Sequence, residues 1–422
     1  MDNSQDLVER ITLWLWVVFI LLLFPRKGQS IRDGIIILSP ILIVSRFGFS
    51  WLKELNLRSW SLWGFVLFFL GTGIPQFISP DVYRGADAFR GNHLKWIAIV
   101  FSLMFVLRRK ENLKPICWAV VGTVFLGMAF GYYNYFTPVE YHLYQPQRVW
   151  EPGSRSPLTA FGQWHTYYAT GFSVLLPIVL AFTLHNLRSS SRMKHAVVLP
   201  AVVFLSSLPI LWLTTARGPQ VALFVSVLTM VLVLFFKSSV DVSVIKAISV
   251  SLLLIIAVMV LLYVFGIGEG AISVWDVKSI ASSVEGRMKQ WTLSFHAAKD
   301  YWLFGLNFHP ESLHNITNRE RLVDYSLPEH NIYLFFLIRT GIVGLTSFLI
   351  FSGLLFFEGL NILMKKKTWS RTLFLSSYLS VYLGSFLLLG IIYPLNRTLI
   401  FFVLLALLLS IIAGKNWDET NH

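Results

Sequence analysis

Apolar runs about twenty residues long recur along most of the chain, and a run of that length has one stable home. A helix of about twenty residues spans a bilayer and satisfies its own backbone hydrogen bonds there. Read by that rule, the 422 residues hold about twelve such runs, at 11–25, 34–52, 60–79, 95–108, 116–136, 158–184, 196–215, 219–236, 247–267, 331–356, 372–393 and 398–413. The expectation is an all-α polytopic membrane protein of about twelve transmembrane helices, a single transmembrane domain over residues 1–422. Charged residues make up only 14%, against about a quarter in a soluble domain. No basic stretch followed by a small-residue cleavage site stands at the amino end, so the first run reads as a retained span.

The formal charge of +13 could point to nucleic acid, but the Lys and Arg residues fall in short clusters between apolar runs, where they set orientation and meet anionic headgroups. Nucleic acid is therefore excluded as a partner, and membrane lipids are expected. An even number of spans puts both termini on one side. The clusters Arg108-Arg109-Lys110, Arg188 with Arg192 and Lys194, and Lys365-Lys366-Lys367 with Arg371 fall on that side, which the positive-inside rule makes cytoplasmic. Arg26, Lys27 and Arg32 break the rule in the first hairpin. Cys117 is the only cysteine and lies in an apolar run, so neither a disulfide nor a thiolate metal site is available.

On the outer face lie the connections 80–94 and 137–157, the turn Ala216-Arg217-Gly218, and a long, partly helical connection over 268–330. Their basic residues are mostly arginines: Arg84, Arg90, Arg148, Arg155, Arg217, Arg287, Arg319 and Arg321, with Arg397 farther on. A guanidinium offers a planar donor fork that grips phosphate oxygens bidentately, which suggests a phosphorylated substrate approached from outside. Lipid headgroups, or acidic neighbours such as Glu151 and Glu285, are the alternative partners. Arg287, Trp291, Ser294 and Ala298 are three or four apart, so a helix would stack them on one face. Such a helix carries Arg287 near its first turn, where free backbone N–H groups also favour an anion. Met288, Leu293 and Phe295 would pack that helix on the membrane domain.

His330 precedes Asn331-Ile-Tyr-Leu at the mouth of the tenth span. A neutral imidazole there is suited to general-base work, or equally to plain hydrogen bonding. His165 reads as a packed structural residue. His309 and His314, with Glu311 between them, have no helical ligand spacing. No glycine-rich phosphate loop and no Asp-x-Asp occur, which argues against a nucleotide sugar held through a metal. Nor does any span interior hold Asp or Glu, which argues against a proton-coupled transporter. In the interior of the spans, away from their ends, charge is confined to Arg46 and Arg339.

Several pieces together are similar to one family. Arg155-Ser-Pro-Leu-Thr-Ala-Phe-Gly, Thr214-Thr-Ala-Arg217-Gly, Gly286-Arg287 with Trp291 and Phe304-Gly305, and His330-Asn331-Ile-Tyr-Leu followed by Gly341-Ile-Val-Gly344 resemble, in order and placement, the O-antigen ligase and Wzy-type polymerase superfamily. The resemblance covers residues 155–350. It implies a glycosyltransferase in the bacterial inner membrane, working on the periplasmic face. The donor would be a glycan on undecaprenyl pyrophosphate and the acceptor lipid A–core, with no cofactor and no metal. It further implies that Arg155 and Arg287 hold the pyrophosphate, that Arg217 supports the site, and that His330 activates the acceptor hydroxyl. Arg339 departs from the pattern, since many relatives carry an acidic residue there.

Overall fold

The computed structural model describes residues 3–25, 28–79, 81–136, 165–189, 194–214, 216–236, 284–288, 291–292, 295–296, 299–308, 331–365, 368–388, 390 and 399–414. Among these residues the structure is helical, with no β-strand and one isolated bridge between Leu55 and Gly414. The helices are α1 (Asn3–Leu21), α2 (Gln29–Phe47), α3 (Trp60–Ile78), the short α4 (Val82–Ala88), α5 (Leu94–Leu107), α6 (Leu113–Phe136), α7 (His165–Ser189), α8 (Lys194–Leu213), α9 (Arg217–Phe236), α10 (Ile332–Met364), α11 (Trp369–Val381) and α12 (Leu399–Ala413). The six described stretches long and apolar enough to cross a membrane are Trp60–Ile78, Lys110–Phe136, Tyr168–Arg188, Ala196–Leu213, Arg217–Phe235 and Ile332–Met364. The apolar run at 247–267 lies outside the described residues.

The closest helix pair is α3 against α10, and small residues make it possible. A side chain on Gly71 would run into Ser347, and one on Gly64 would meet Phe351 and Leu354 within 3.4 Å. In a bilayer, where burial gives helices little reason to associate, such close backbone approach supplies the packing. Phe68 fills the seam between Phe336, Phe348 and Phe351. Glu9 and Glu358, two of the acidic residues in these helices, lie at one end of the bundle. Glu9 of α1, buried, pairs with Arg108 and Arg109, and Arg108 also reaches Glu54. Glu358 of α10 accepts from the Ser59 hydroxyl and the Ser61 N–H at 2.8 and 2.7 Å. Its carboxylate thus caps the first turn of α3, where the helix dipole favours a negative charge. That cap explains why α10 continues to Met364, beyond the apolar run that ends near 356.

Arg32, anomalous in the charge pattern, has a local structural role. Its Nη1 donates to the carbonyls of Leu22 and Leu23 at 2.6 and 2.8 Å, closing the carboxyl end of α1. Burial lets a guanidinium stand outside the positive-inside rule when it satisfies orphan carbonyls. Arg32→Met keeps the stem and removes both bonds. It should cost about 1–3 kcal/mol, the desolvation penalty of stranded buried acceptors, read as a lower thermal midpoint in detergent. No change in the midpoint would remove this capping role.

Candidate active site

The end of the bundle opposite Glu9 and Glu358 holds Asn331 and Arg217. Asn331 caps α10 with an extended backbone, its Oδ1 accepting from the N–H groups of Tyr333 and Leu334 at 2.9 and 3.0 Å. A capping Asn satisfies amides that the first turn leaves open, and Asn331 is itself buried. The residue before it, His330, lies outside the described residues, as do Arg155, His309, Glu311 and His314. The Tyr333 hydroxyl donates to the Leu387 carbonyl at 3.0 Å, and Gly384 on the same stretch abuts Ser226 and Ala222 of α9. Arg217, which opens α9, therefore stands at the same end of the bundle as Asn331.

The turn before Arg217 is built by side chains. Thr214 donates to the Leu211 carbonyl at 2.6 Å and accepts from the Ala216 N–H at 3.4 Å, and Gln220 Nε2 reaches the carbonyls of Leu211 and Trp212 at 3.3 Å each. Those bonds close the carboxyl end of α8 and let α9 begin at once, which holds Arg217, half-buried, on the first turn of a helix. Residues 284–288, 291–292 and 295–296 are helical, and Thr292 Oγ1 donates to the Met288 carbonyl one turn back at 2.9 Å. On this helix Arg287 and Trp291, four apart, are partly buried, while the other described positions are exposed. Ser294 and Ala298, expected on the same face, lie outside the described residues. The expected packing through Met288 and Phe295 is not present, because both side chains are more than half exposed.

The most informative feature was not anticipated. At Gly341, with φ of 65° and ψ of −167°, α10 breaks, in a region of backbone space that only glycine enters at little cost. The segment from Tyr301 to Phe308 fills the break. Leu306 and Asn307 donate to the carbonyls of Ile338 and Arg339 at 2.8 and 2.9 Å, and the N–H groups of Ile342 and Val343 donate to the carbonyls of Trp302 and Leu303 at 2.8 and 3.4 Å. Asn307 Nδ2 reaches Ser79 Oγ at 3.1 Å and the Asp81 carbonyl at 3.3 Å, and the Phe308 N–H reaches Gln76 Oε1 at 2.8 Å. Arg339, buried in α10, points its Nη1 to the Asn307 carbonyl at 3.4 Å. Arg339 thus serves the junction between the 301–308 segment and the broken helix.

His93, in the connection before α5, was also not singled out in sequence. It is fully buried between Phe69, Phe89, Trp96 and Phe308, with Nε2 3.2 Å from Thr72 Oγ1. Sealed among rings, it holds α3, α5 and Phe308 together.

The comparisons give one positive result. Residues 201–349 match the family described as O-Antigen ligase. No curated protein matches the chain. The matched stretch takes in Arg217, Arg287 and His330 as well as the Gly341 break, and leaves Arg155 outside.

Proposed function

We propose, from the premise that residues 201–349 carry an O-antigen ligase domain in a multi-pass membrane protein, that the chain is an inverting, metal-independent glycosyltransferase of the bacterial inner membrane. It moves an O-antigen-type glycan from undecaprenyl pyrophosphate to a sugar of lipid A–core on the periplasmic face. The observation that carries this reading is the family match over a stretch that holds Arg217, Arg287 and His330. The common end of Arg217 and the Asn331 cap supports it.

In this mechanism Arg155, Arg217 and Arg287 converge on the pyrophosphate, and His330 lies on the other side of the anomeric carbon. His330 takes the proton from an acceptor hydroxyl as that oxygen forms its bond to the carbon. The carbon–oxygen bond to phosphate breaks, and its electron pair leaves on undecaprenyl pyrophosphate. The growing charge of the leaving group is met by preorganised guanidinium groups, which is the larger part of such catalysis. Pyrophosphate so held leaves without a Lewis acid, so transfer by the purified protein is expected to persist in EDTA. Turnover lost on chelation and restored by magnesium or manganese would overturn the arginine-only account.

Deleting the gene and inspecting the lipopolysaccharide tests the acceptor. Core free of glycan, with long lipid-linked polymer accumulating, supports ligation. Core bearing single repeat units would instead mean a polymerase that extends the glycan. Unaltered lipopolysaccharide with unglycosylated protein would mean an oligosaccharyltransferase. With defined donor in vesicles, flipping without transfer would mean a lipid-linked glycan transporter and would sink the enzyme reading.

A further inference from the structure

The helix that carries Arg287 shows an apolar stripe to its surroundings. Val284, Met288 and Phe295 are 49%, 54% and 59% exposed. At 100° per residue they fall within about 40° of one another, with Trp291 on their flank. Arg287 borders one side of the stripe, and Glu285, Thr292 and His296, all exposed, border the other. The polarity is that of a helix lying in a membrane–water boundary, with its apolar face buried about 5–10 Å into the headgroup and acyl border. The chain then continues to Trp302 and Leu303, whose side chains are 60% and 41% exposed.

Backbone bonds fix the depth of those two residues. The carbonyls of Trp302 and Leu303 accept from Ile342 and Val343, which lie ten and eleven residues into α10. Gly71 of α3 abuts Ser347, so 342–343 stand level with the last turn of α3. At that level α3 presents Ile74, Phe77 and Ile78, each about half exposed, on a helix apolar enough to cross the bilayer. Trp302 and Leu303 thus extend a lipid-facing surface, and an indole at the border of the hydrocarbon is where a membrane protein places its aromatic belt.

We propose that Val284, Met288, Phe295, Trp302 and Leu303 form an interfacial surface seated in the bilayer, sunk among the lipids. The occupant of this face is bilayer lipid. A consequence is that Arg287, beside the stripe, is held at headgroup height, the height at which a membrane-borne phosphate sits. The seating itself does not depend on the proposed reaction.

The lone cysteine gives a clean test. In full-length Cys117→Ser protein, single cysteines replace Met288, Phe295, Trp302 or Leu303, and Glu285, Thr292 or His296 as the polar set. Each is spin-labelled and placed in nanodiscs of phosphatidylethanolamine and phosphatidylglycerol. Labels at the first four positions should relax more with oxygen than with a water-soluble nickel chelate, and labels at the polar set should show the reverse. Met288→Cys and Phe295→Cys decide the matter alone if the Trp302 and Leu303 variants do not fold. Equal nickel accessibility in both sets would place the stripe in water and overturn the proposal. Protection of the stripe from both reagents would mean that a second copy or another protein covers it, which overturns it equally.

Discussion

Replacing His330 by alanine is expected to lower glycan transfer by about a hundred- to ten-thousand-fold, the usual worth of a general base, while leaving donor binding intact. The histidine in the proposed mechanism serves only the acceptor hydroxyl, so the lipid-linked donor should not sense its loss. Arg287 should behave differently. Arg287→Ala should lose donor affinity together with rate, and Arg287→Lys should lose about ten- to a hundredfold, because a point charge replaces a bidentate fork whose charge-assisted bonds are worth about 1.5–3 kcal/mol. Binding of a labelled undecaprenyl pyrophosphate glycan, measured beside turnover on variants that insert normally, separates the roles. Wild-type turnover in His330→Ala removes the histidine from the mechanism, and equal loss of donor binding in the two alanine variants removes the division of labour.

Gly341→Ala is expected to disable the protein although it adds one methyl group. A residue with a Cβ held in this glycine-only region costs about 1–3 kcal/mol. The added carbon would also collide with the Leu303 carbonyl and lie 2.5 Å from the Phe304 nitrogen. Relief requires either straightening α10 or expelling the Tyr301–Phe308 segment, and both strand peptide groups. Gly305→Ala should fail for the reciprocal reason, since its φ is 69° and its Cβ would press on the backbone of 339–341. Gly353→Ala, on the same helix with open space at its Cβ, is the control. Thermal midpoints and transfer for the three variants give the answer. A Gly341→Ala protein as stable and active as Gly353→Ala would show that the break is dispensable.

The runs of apolar residues announce most of the helices, because hydrocarbon demands uninterrupted apolar length and the sequence has no other way to supply it. Their ends are less legible. Glu358 reads as a stop, yet it lies inside α10, because a serine-capped helix nearly three hundred residues away accepts its charge. Arg32 reads as an orientation signal misplaced, and its carbonyl partners become visible only in the folded hairpin. The stretch Ile338-Arg-Thr-Gly-Ile-Val-Gly344 reads as continuous helix. What interrupts it is the Trp302–Asn307 segment, and no local pattern in either stretch names the other. Of the candidate site, Asn331 and Arg217 were legible as residues at helix mouths, whereas Gln76, Asn307 and Arg339 owe their placement to contacts between distant segments.

The break at Gly341 also orders the making of the protein. Translation delivers Trp302 to Asn307 before it delivers Ile338 to Val343, so the partners of the broken helix exist before the helix does. Within hydrocarbon each unpaired peptide group costs several kcal/mol. The later segment is therefore free to bend only once the earlier one lies beside it. Until those partners are in place, bending at Gly341 would leave peptide groups of both segments without the bonds that join them. An exchange of the long connection between two such proteins would consequently have to carry both halves of this clasp, since either alone leaves a span that cannot finish its assembly.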